Sequence, residues 1–303
     1  MKRWSQKLKR SISLLWKPIK MEFCPYCGSN KTFFYFKVFS RIFNLCRECN
    51  LIYKYILGNY EDFLSAYQDD YFARYSADQI EGRRNKLYDH ILDLIEARKK
   101  VGKILDVGTG CGFFLVAAQK KGWKVKGIEP SMKSVEVARN QNALDVFNGT
   151  LLEYNENNKF DVITFINVLD HLVEPWKEIE LAKHLLKSQG LIYVRFPNGS
   201  VHTRIYRLAS KLGFTNFALR FLVFHQYSFS SKYIKRLLSD FGFSEIMILN
   251  SPPSKGDPHN LFFNPSVANY FKKFLYLVDN AVRVISGKKI LLGTSLEVTA
   301  IKI

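Results

Sequence analysis

A glycine-rich loop at residues 105–113 constrains the fold of this chain more than any other segment. It reads Leu-Asp-Val-Gly-Thr-Gly-Cys-Gly-Phe and lies between a predicted strand, residues 103–108, and a predicted helix. Six further segments have strand character, and helical patterns separate most of them. They are residues 124–130, 144–149, 160–168, 190–197, 244–251 and 296–303. This alternation predicts an α/β fold with a doubly wound, mostly parallel sheet of seven strands.

The residues of the loop indicate what kind of ligand it holds. Glycines let the backbone turn sharply and approach a ligand that lies at the start of the following helix. A dinucleotide fingerprint needs a small final residue, and Phe113 stands there instead. Asp106, two residues before the first glycine, is a poor companion for a pyrophosphate and suits a cationic ligand. Glu129, at the end of the second predicted strand, is placed to accept hydrogen bonds from ribose hydroxyls.

Four of the five cysteines form a second pattern near the N-terminus. They are arranged as C-x2-C pairs with eighteen residues between the pairs, which is the spacing of a structural zinc site. The predicted ligands are Cys24, Cys27, Cys46 and Cys49. Strand character at residues 31–39 and 51–55 predicts a small β-rich ribbon around the metal. Two disulfides are the alternative, but without a secretory signal we expect a reducing compartment. Four thiolates close the coordination sphere of Zn²⁺, so we expect a structural metal without a catalytic water.

Taken together, these motifs resemble the class I S-adenosylmethionine-dependent methyltransferases, in particular bacterial members with an N-terminal four-cysteine ribbon. Residues 106–112 are similar to the first motif of that family and residues 128–131 to the second. Residues 160–172 resemble the strand-four motif, and residues 185–198 match the end of strand five. The resemblance covers about residues 22–250 and implies a Rossmann-like seven-stranded methyltransferase sheet that binds S-adenosylmethionine.

The resemblance also implies how the cofactor is held. The glycine loop holds its methionine end, and Glu129 binds its ribose. Residues 149–151 lack the acidic residue that many relatives use for adenine, so the expected adenine contacts are backbone and apolar. The predicted cofactor-binding residues are Asp106, Gly108, Thr109, Gly110, Gly112, Phe113, Glu129, Pro130, Thr150, Leu151 and Asn167.

The domain organisation follows from these patterns. Residues 88–95 carry the apolar stripe of an amphipathic helix between the ribbon and the glycine loop. The predicted parts are a basic amphipathic tail at 1–20, a zinc ribbon at 21–56, a helical linker at 57–102, and a methyltransferase domain at 103–303 with helical insertions near 199–224 and 253–293.

Three residues are candidates for acceptor chemistry. Methyl transfer from a sulfonium depends on positioning, and a hydroxyl acceptor also needs a base. Asp170 and His171 follow the fourth predicted strand, and His225 precedes a predicted helix. In relatives that act on sugars, a histidine near the position of His225 serves the acceptor. Phe224 stands where some carbon-methylating relatives place an acid, which favours methylation of oxygen. The alternatives are that His171 shapes the pocket and that His225 packs against or caps the next helix.

The charge distribution indicates an anionic partner. The net charge is +18, and residues 1–20 carry seven basic side chains and no acidic one. The two insertions combine basic residues with aromatic and aliphatic ones, a composition that suits a membrane interface. If the fifth and sixth strands run parallel, both insertions leave the sheet edge that holds the cofactor. The alternative is that they form a lid over the site.

These features predict a cytoplasmic enzyme that contacts the inner face of the cell membrane peripherally. No apolar run approaches the roughly 18 residues needed to cross a bilayer. We expect O-methylation of a sugar or glycan in polysaccharide biosynthesis, on an anionic or lipid-linked acceptor. RNA methylation through the ribbon and basic insertions, methylation of a small molecule or quinone, and a scaffold without activity are the alternatives. Nucleic acid is the less favoured partner because the ribbon carries few spare charges.

Overall fold

The computed structural model describes residues 19–20, 22–57, 82–254 and 265–303. The predicted tail lies outside these residues except for its last two positions. Residues 58–81 of the predicted linker and residues 255–264 of the second predicted insertion also lie outside them.

The described strands and helices are numbered in chain order. The strands are β1 (Ile19–Lys20), β2 (Thr32–Val38), β3 (Arg41–Cys46), β4 (Ile52–Lys54), β5 (Ile56–Leu57), β6 (Lys103–Val107), β7 (Lys124–Glu129), β8 (Val146–Asn148), β9 (Phe160–Ile166), β10 (Leu186–Pro197), β11 (Tyr227–Ser228), β12 (Phe243–Asn250) and β13 (Ser295–Lys302). The helices are α1 (Asn85–Glu96), α2 (Phe113–Lys120), α3 (Met132–Asn140), α4 (Pro175–Leu185), α5 (Gly199–Lys211), α6 (Thr215–Ala218), α7 (Ser231–Asp240) and α8 (Pro265–Ile285), with a 3-10 turn at Leu151–Glu153.

Seven strands form the central sheet in the order β12-β13-β10-β9-β6-β7-β8. Strands β6 to β10 run parallel to one another, and β13 runs antiparallel between β10 and β12. The Rossmann-like fold class predicted from the alternating pattern is therefore confirmed. Strands β6 and β10 are almost continuously buried because helices cover both faces of the sheet.

The amphipathic helix expected before the glycine loop is α1. Its apolar stripe, which includes Tyr88, Ile91 and Ile95, is buried against the sheet in one cluster with Ile104 and Leu191. The 3.6-residue spacing of these side chains places them on one side of the helix, which explains why this helix packs as it does.

A four-stranded antiparallel sheet in the order β11-β4-β3-β2 forms the ribbon. Strands β3 and β11 have no counterpart among the strands predicted from the sequence. Strand β11 comes from the methyltransferase part of the chain, and Tyr227 pairs with Tyr53 in β4. The buried ribbon cysteines also lie in the same apolar cluster as Phe196 and Leu296 of the central sheet. Ribbon and central sheet thus share one core.

Both insertions leave from the carboxyl edge of the parallel strands. Pro197, the last residue of β10, pairs with Ser295, and Asn250, the last residue of β12, pairs with Leu296. Helix α5 follows β10 directly, and α8 lies between β12 and β13. Within the described residues, no helix combines the length and apolar character needed to span a bilayer.

Candidate active site

A cavity opens at the carboxyl ends of β6, β7, β8 and β9. Open α/β sheets bind ligands at this edge. The lining residues are Val107, Gly108, Ile128, Pro130, Gly149, Thr150, Leu151, Val168, His171, Leu172 and Glu178. The wall therefore includes four of the predicted cofactor residues, Gly108, Pro130, Thr150 and Leu151, and it is mainly apolar, as a planar purine requires.

The glycine loop lies tightly between β7 and the segment after β9. Gly108 has a φ of +72°, and a Cβ atom there would lie 2.4 Å from a methyl group of Val168. The backbone N–H groups of Gly108 and Thr109 both donate to the carbonyl of Ile128, at 2.8 and 3.1 Å. Glycine is needed at position 108 both for the backbone angle and for this close approach. The loop continues to Gly112, the residue before α2.

Glu129 fastens the loop to the end of β7. Its buried carboxylate accepts hydrogen bonds from the backbone N–H of Gly110 at 2.8 Å and of Ser131 at 2.9 Å. Burial raises the pKa of Glu129 to about 7, although these two hydrogen bonds oppose the shift. The structure therefore gives Glu129 a role in shaping the loop, and its contact with ribose stays a prediction.

Asp106 is a second buried carboxyl at the same edge. Its Oδ1 accepts a hydrogen bond from the Thr164 hydroxyl at 2.6 Å, and burial raises its pKa to about 7. When ionised, these carboxyls give the loop a negative potential that favours a positively charged ligand. Asn167 adopts a left-handed φ of +58° at the end of β9, and its side-chain oxygen accepts from Arg195 at 2.6 Å.

The predicted acceptor residues form one cluster beside the cavity. Nδ1 of His225 lies 2.5 Å from Oδ2 of Asp170, which is almost fully buried. Burial raises the pKa of Asp170, but the neighbouring His225 and His171 lower it more, so its net pKa lies below the usual value. A carboxylate can only accept a hydrogen bond, so Nδ1 of His225 carries the proton. In a neutral ring with the proton on Nδ1, Nε2 is the nitrogen that can accept a hydrogen bond.

His171 takes a different part in the cluster. Its ring centroid lies 3.6 Å from that of His225, and its side chain lines the cavity. Desolvation and the nearby His225 lower the pKa of His171 to about 3. The His171 ring is therefore neutral at physiological pH, whereas His225 is the histidine that pairs with Asp170. Asp170, His171 and His225 also offer three ligand atoms within 4.8 Å of one another, a donor set that divalent transition metals accept.

The ribbon holds His225 in place from both sides. The preceding residue, Phe224, packs against Phe36 and Phe43 of the ribbon, with ring centroids 5.1 and 5.9 Å apart. The carbonyl of the following residue, Gln226, accepts a hydrogen bond from Lys54 N at 2.9 Å. The position of His225 therefore depends on an intact ribbon.

The four ribbon cysteines converge on one point. The Sγ atoms of Cys24 and Cys49 lie 3.5 Å apart and those of Cys27 and Cys46 lie 3.6 Å apart. All four Sγ atoms lie within 4.8 Å of one another, and all are free thiols. Tetrahedral coordination with Zn–S distances of about 2.3 Å places ligand sulfurs about 3.8 Å apart. The donor set and its spacing fit a Zn²⁺ ion.

Glu178 is a cavity residue that sequence reasoning missed. It lies on α4, is 3% exposed, and has a carboxylate oxygen with no hydrogen-bond partner in the described part of the chain. Burial, together with the nearby Glu153, raises the pKa of Glu178 to about 8. A glutamate in a helix that also carries exposed Lys177 and Glu180 gives no sequence signal of burial.

Comparison with known proteins agrees with this site and fold. A sequence model of the methyltransferase domain family matches residues 80–246, more than half of the chain. The chain belongs to this family. Its resemblance to class I S-adenosylmethionine-dependent methyltransferases is thereby confirmed at the level of family and fold, and with it the expected class of enzyme.

Two solved structures share the fold at low sequence identity. The magnesium protoporphyrin IX methyltransferase of Synechocystis PCC 6803, solved with S-adenosylhomocysteine, has a TM-score of 0.54 and 14% identity, covering 81% of this chain and 100% of that one. A methyltransferase of Thermotoga maritima, described as a possible histamine N-methyltransferase, has a TM-score of 0.51 and 16% identity, covering 80% of this chain and 100% of that one.

Relatives with higher sequence identity match a shorter stretch. The ubiquinone biosynthesis O-methyltransferase of Actinobacillus pleuropneumoniae is 34% identical over 102 residues, and that of Pasteurella multocida is 36% identical over 107 residues. Each match covers 30% of this chain and 44% of the relative. The chain therefore spans less than half the length of these relatives.

Proposed function

We propose that the protein transfers a methyl group from S-adenosylmethionine to a hydroxyl oxygen, with His225 as the general base. The hydrogen bond between Asp170 and His225 carries this proposal, because in the neutral ring it holds the proton on Nδ1 and leaves Nε2 free, and the ring contacts His171 of the cavity wall. The glycine loop and the apolar wall would hold the cofactor, which supplies an electrophilic methyl group when bound. His225 Nε2 takes the acceptor proton, and the Asp170 carboxylate stabilises the resulting imidazolium. Such a base contributes about 10²–10⁴-fold to the rate.

A sugar or glycan hydroxyl is the first proposed acceptor. A sugar hydroxyl is only weakly acidic, so its methylation needs a positioned base of the kind that His225 and Asp170 provide. A lipid-linked glycan would combine such a hydroxyl with a membrane anchor. We propose a role in polysaccharide biosynthesis on this basis.

A phenolic quinone precursor is the second candidate acceptor. The names of the relatives in Actinobacillus pleuropneumoniae and Pasteurella multocida, ubiquinone biosynthesis O-methyltransferases, favour it. Their matches cover less than half of each relative. A phenol is far more acidic than a sugar hydroxyl, since its pKa is about 10, and it would depend less on His225.

The carboxyl edge of the sheet, where both insertions leave, is proposed to bind an anionic membrane surface. Along α5, Ile205, Leu208 and Leu212 are 45%, 60% and 61% exposed at helical spacing. Residues 199–224 contain four basic side chains and no acidic one. Apolar side chains flanked by cations suit a bilayer with anionic headgroups. Because this surface is so basic, pairing with a second copy of the chain would bring like charges together.

Helix α8 adds a second exposed apolar stripe at the same sheet edge. Tyr270, Phe274, Leu277 and Val284 repeat at intervals of three, four or seven residues and are between 60% and 74% exposed. An amphipathic helix of 21 residues is about 30 Å long and can lie in the plane of a membrane interface. Membrane contact would bring the site to lipid-linked acceptors of either class.

Zn²⁺ is proposed as a structural ion in the ribbon, with Cys24, Cys27, Cys46 and Cys49 as its ligands. Its closed coordination sphere would leave the reaction to the cluster around His225. We expect mass spectrometry of the purified protein to find one zinc ion per chain.

The acceptor is tested with methyl-labelled S-adenosylmethionine and cell extract separated into glycan-lipid, quinone and RNA fractions. Label in the first fraction, lost in His225→Ala and retained in the control His184→Ala on the exposed side of α4, supports the glycan proposal. Label in the quinone fraction selects the second candidate. Label in RNA, or no loss in His225→Ala, contradicts the proposed chemistry.

Membrane binding is tested by sedimentation with phosphatidylglycerol and phosphatidylcholine vesicles. We expect binding to the anionic vesicles only, reduced at least tenfold by the double substitution Leu208→Asp and Phe274→Asp. Val101→Asp is the matched control, since Val101 is 48% exposed and precedes β6 at the opposite sheet edge. Equal binding by wild type and the double variant, or no binding at all, would refute the surface. Retention of RNA instead of vesicles would assign it to nucleic acid.

A further inference from the structure

The cofactor cavity contains a buried acidic residue, Glu178, that takes no part in the proposed reaction. Glu178 of α4 lines the cavity together with Leu151 and Leu172, and one of its carboxylate oxygens has no hydrogen-bond partner among the described residues. Burying a polar atom without a partner is costly, and an apolar residue would fill the same space at lower cost. Such a group points to a ligand that supplies the missing partner.

The position of Glu178 indicates which part of the cofactor it faces. The glycine loop follows β6, Glu129 ends β7, and Thr150 and Leu151 follow β8. Proceeding along this edge from the loop that would hold the methionine end, the wall around Leu151 is where the purine would lie. This wall is apolar apart from Thr150, His171 and Glu178.

The neighbouring acid, Glu153, is solvent-exposed and is not among the residues that line the cavity. Glu153 accepts hydrogen bonds from the backbone N–H of Thr150 at 2.8 Å and from its hydroxyl at 2.9 Å. The bond from the Thr150 backbone N–H is one half of a capping box that closes the turn at Leu151–Glu153. Glu178 is the acidic residue of the cavity lining, and its Oε2 is left to accept a hydrogen bond.

We propose that Glu178 binds the 6-amino group of the adenine ring and thereby replaces the acid absent from residues 149–151. This inference rests on the proposed use of S-adenosylmethionine and adds a residue from α4 to its binding site. The carboxyl oxygen accepts from the exocyclic amine. Above its pKa of about 8 the Glu178 carboxylate can only accept hydrogen bonds, so it can pair with an amine and not with a carbonyl.

The proposal is tested by calorimetric binding of two ligands that differ only in the purine. S-adenosylhomocysteine carries the 6-amino group, and S-inosylhomocysteine carries a carbonyl there. At pH 9, where the Glu178 carboxylate can only accept, we expect wild type to bind the adenine form roughly tenfold to hundredfold more tightly, the range for a lost buried hydrogen bond. In Glu178→Leu this preference should fall to about threefold or less.

Two further variants separate a direct contact from a structural role. Glu180→Gln, on the exposed side of α4, should keep the wild-type preference. Glu178→Gln keeps an acceptor oxygen, so it should retain part of the preference and remains informative if the leucine variant does not fold. Full wild-type preference in either Glu178 variant overturns the inference. If wild type binds neither ligand, the proposed function itself fails and this inference with it.

Discussion

Replacing Glu178 by Gln should stabilise the protein without cofactor, and the gain should grow as the pH rises. The pKa of Glu178 is raised from 4.5 to about 8 in the folded chain by burial and by Glu153. Between these values the unfolded chain releases a proton that the folded chain retains, so stability falls with increasing pH. The full difference corresponds to about 5 kcal/mol above pH 8 and about 3 kcal/mol at pH 7. Glutamine does not ionise and removes this dependence.

Urea denaturation of the zinc-loaded, cofactor-free protein at pH 5, 7 and 9 measures the effect. The difference in free energy of unfolding between Glu178→Gln and wild type should be under about 1 kcal/mol at pH 5, and about 3 and 5 kcal/mol at pH 7 and 9. Glu180→Gln controls for the loss of a helix charge and should stay within about 0.5 kcal/mol at each pH. A gain that does not change with pH would refute the argument from burial.

Three further outcomes test the site and the ribbon. Asp170→Asn should lower the methyl transfer rate by about 10²–10⁴-fold, while the dissociation constant of S-adenosylhomocysteine stays unchanged. Nitrogen NMR of His225 should show the proton moving from Nδ1 to Nε2, and an unchanged tautomer would contradict the assigned role of the carboxylate. Gly108→Ala should abolish S-adenosylhomocysteine binding in calorimetry, because its Cβ would lie 2.4 Å from Val168 and a φ of +72° costs a non-glycine residue about 1–2 kcal/mol; wild-type affinity would exclude a tight loop. Cys46→Ser should lose bound zinc and, with it, transfer activity, measured as metal content and rate, and full activity without zinc would show that His225 does not depend on the ribbon.

The sequence predicted the features that depend on local patterns. The paired cysteines, the glycine loop and the stripe at Tyr88, Ile91 and Ile95 each lie within a short stretch, and their spacing alone limits what they can form. The parallel strands could be predicted for the same reason. Strands that are buried on both faces are continuously apolar, which is a local pattern.

The remaining features depend on contacts between distant residues. Strand β11 is two residues long and exists because Tyr227 meets Tyr53, which no local pattern reveals. The burial of Glu178 depends on the packing of α4 against the turn after β8, whereas a glutamate in a helix normally indicates a solvent-exposed face. The preference for His225 over His171 as the proposed base likewise depends on the distance between His225 Nδ1 and Asp170 Oδ2, which joins residues far apart in the sequence.

The pairing of β11 with β4 has a consequence for the order in which the chain can fold during synthesis. The ribbon leaves the ribosome early, but the edge of β4 gains its partner only when Tyr227 has been made. At about 5–20 residues per second, β4 remains an open strand edge for on the order of tens of seconds. Unpaired edges invite pairing with other chains. Aggregation during expression should therefore be most sensitive to substitutions in this strand, long before any catalytic property is measured.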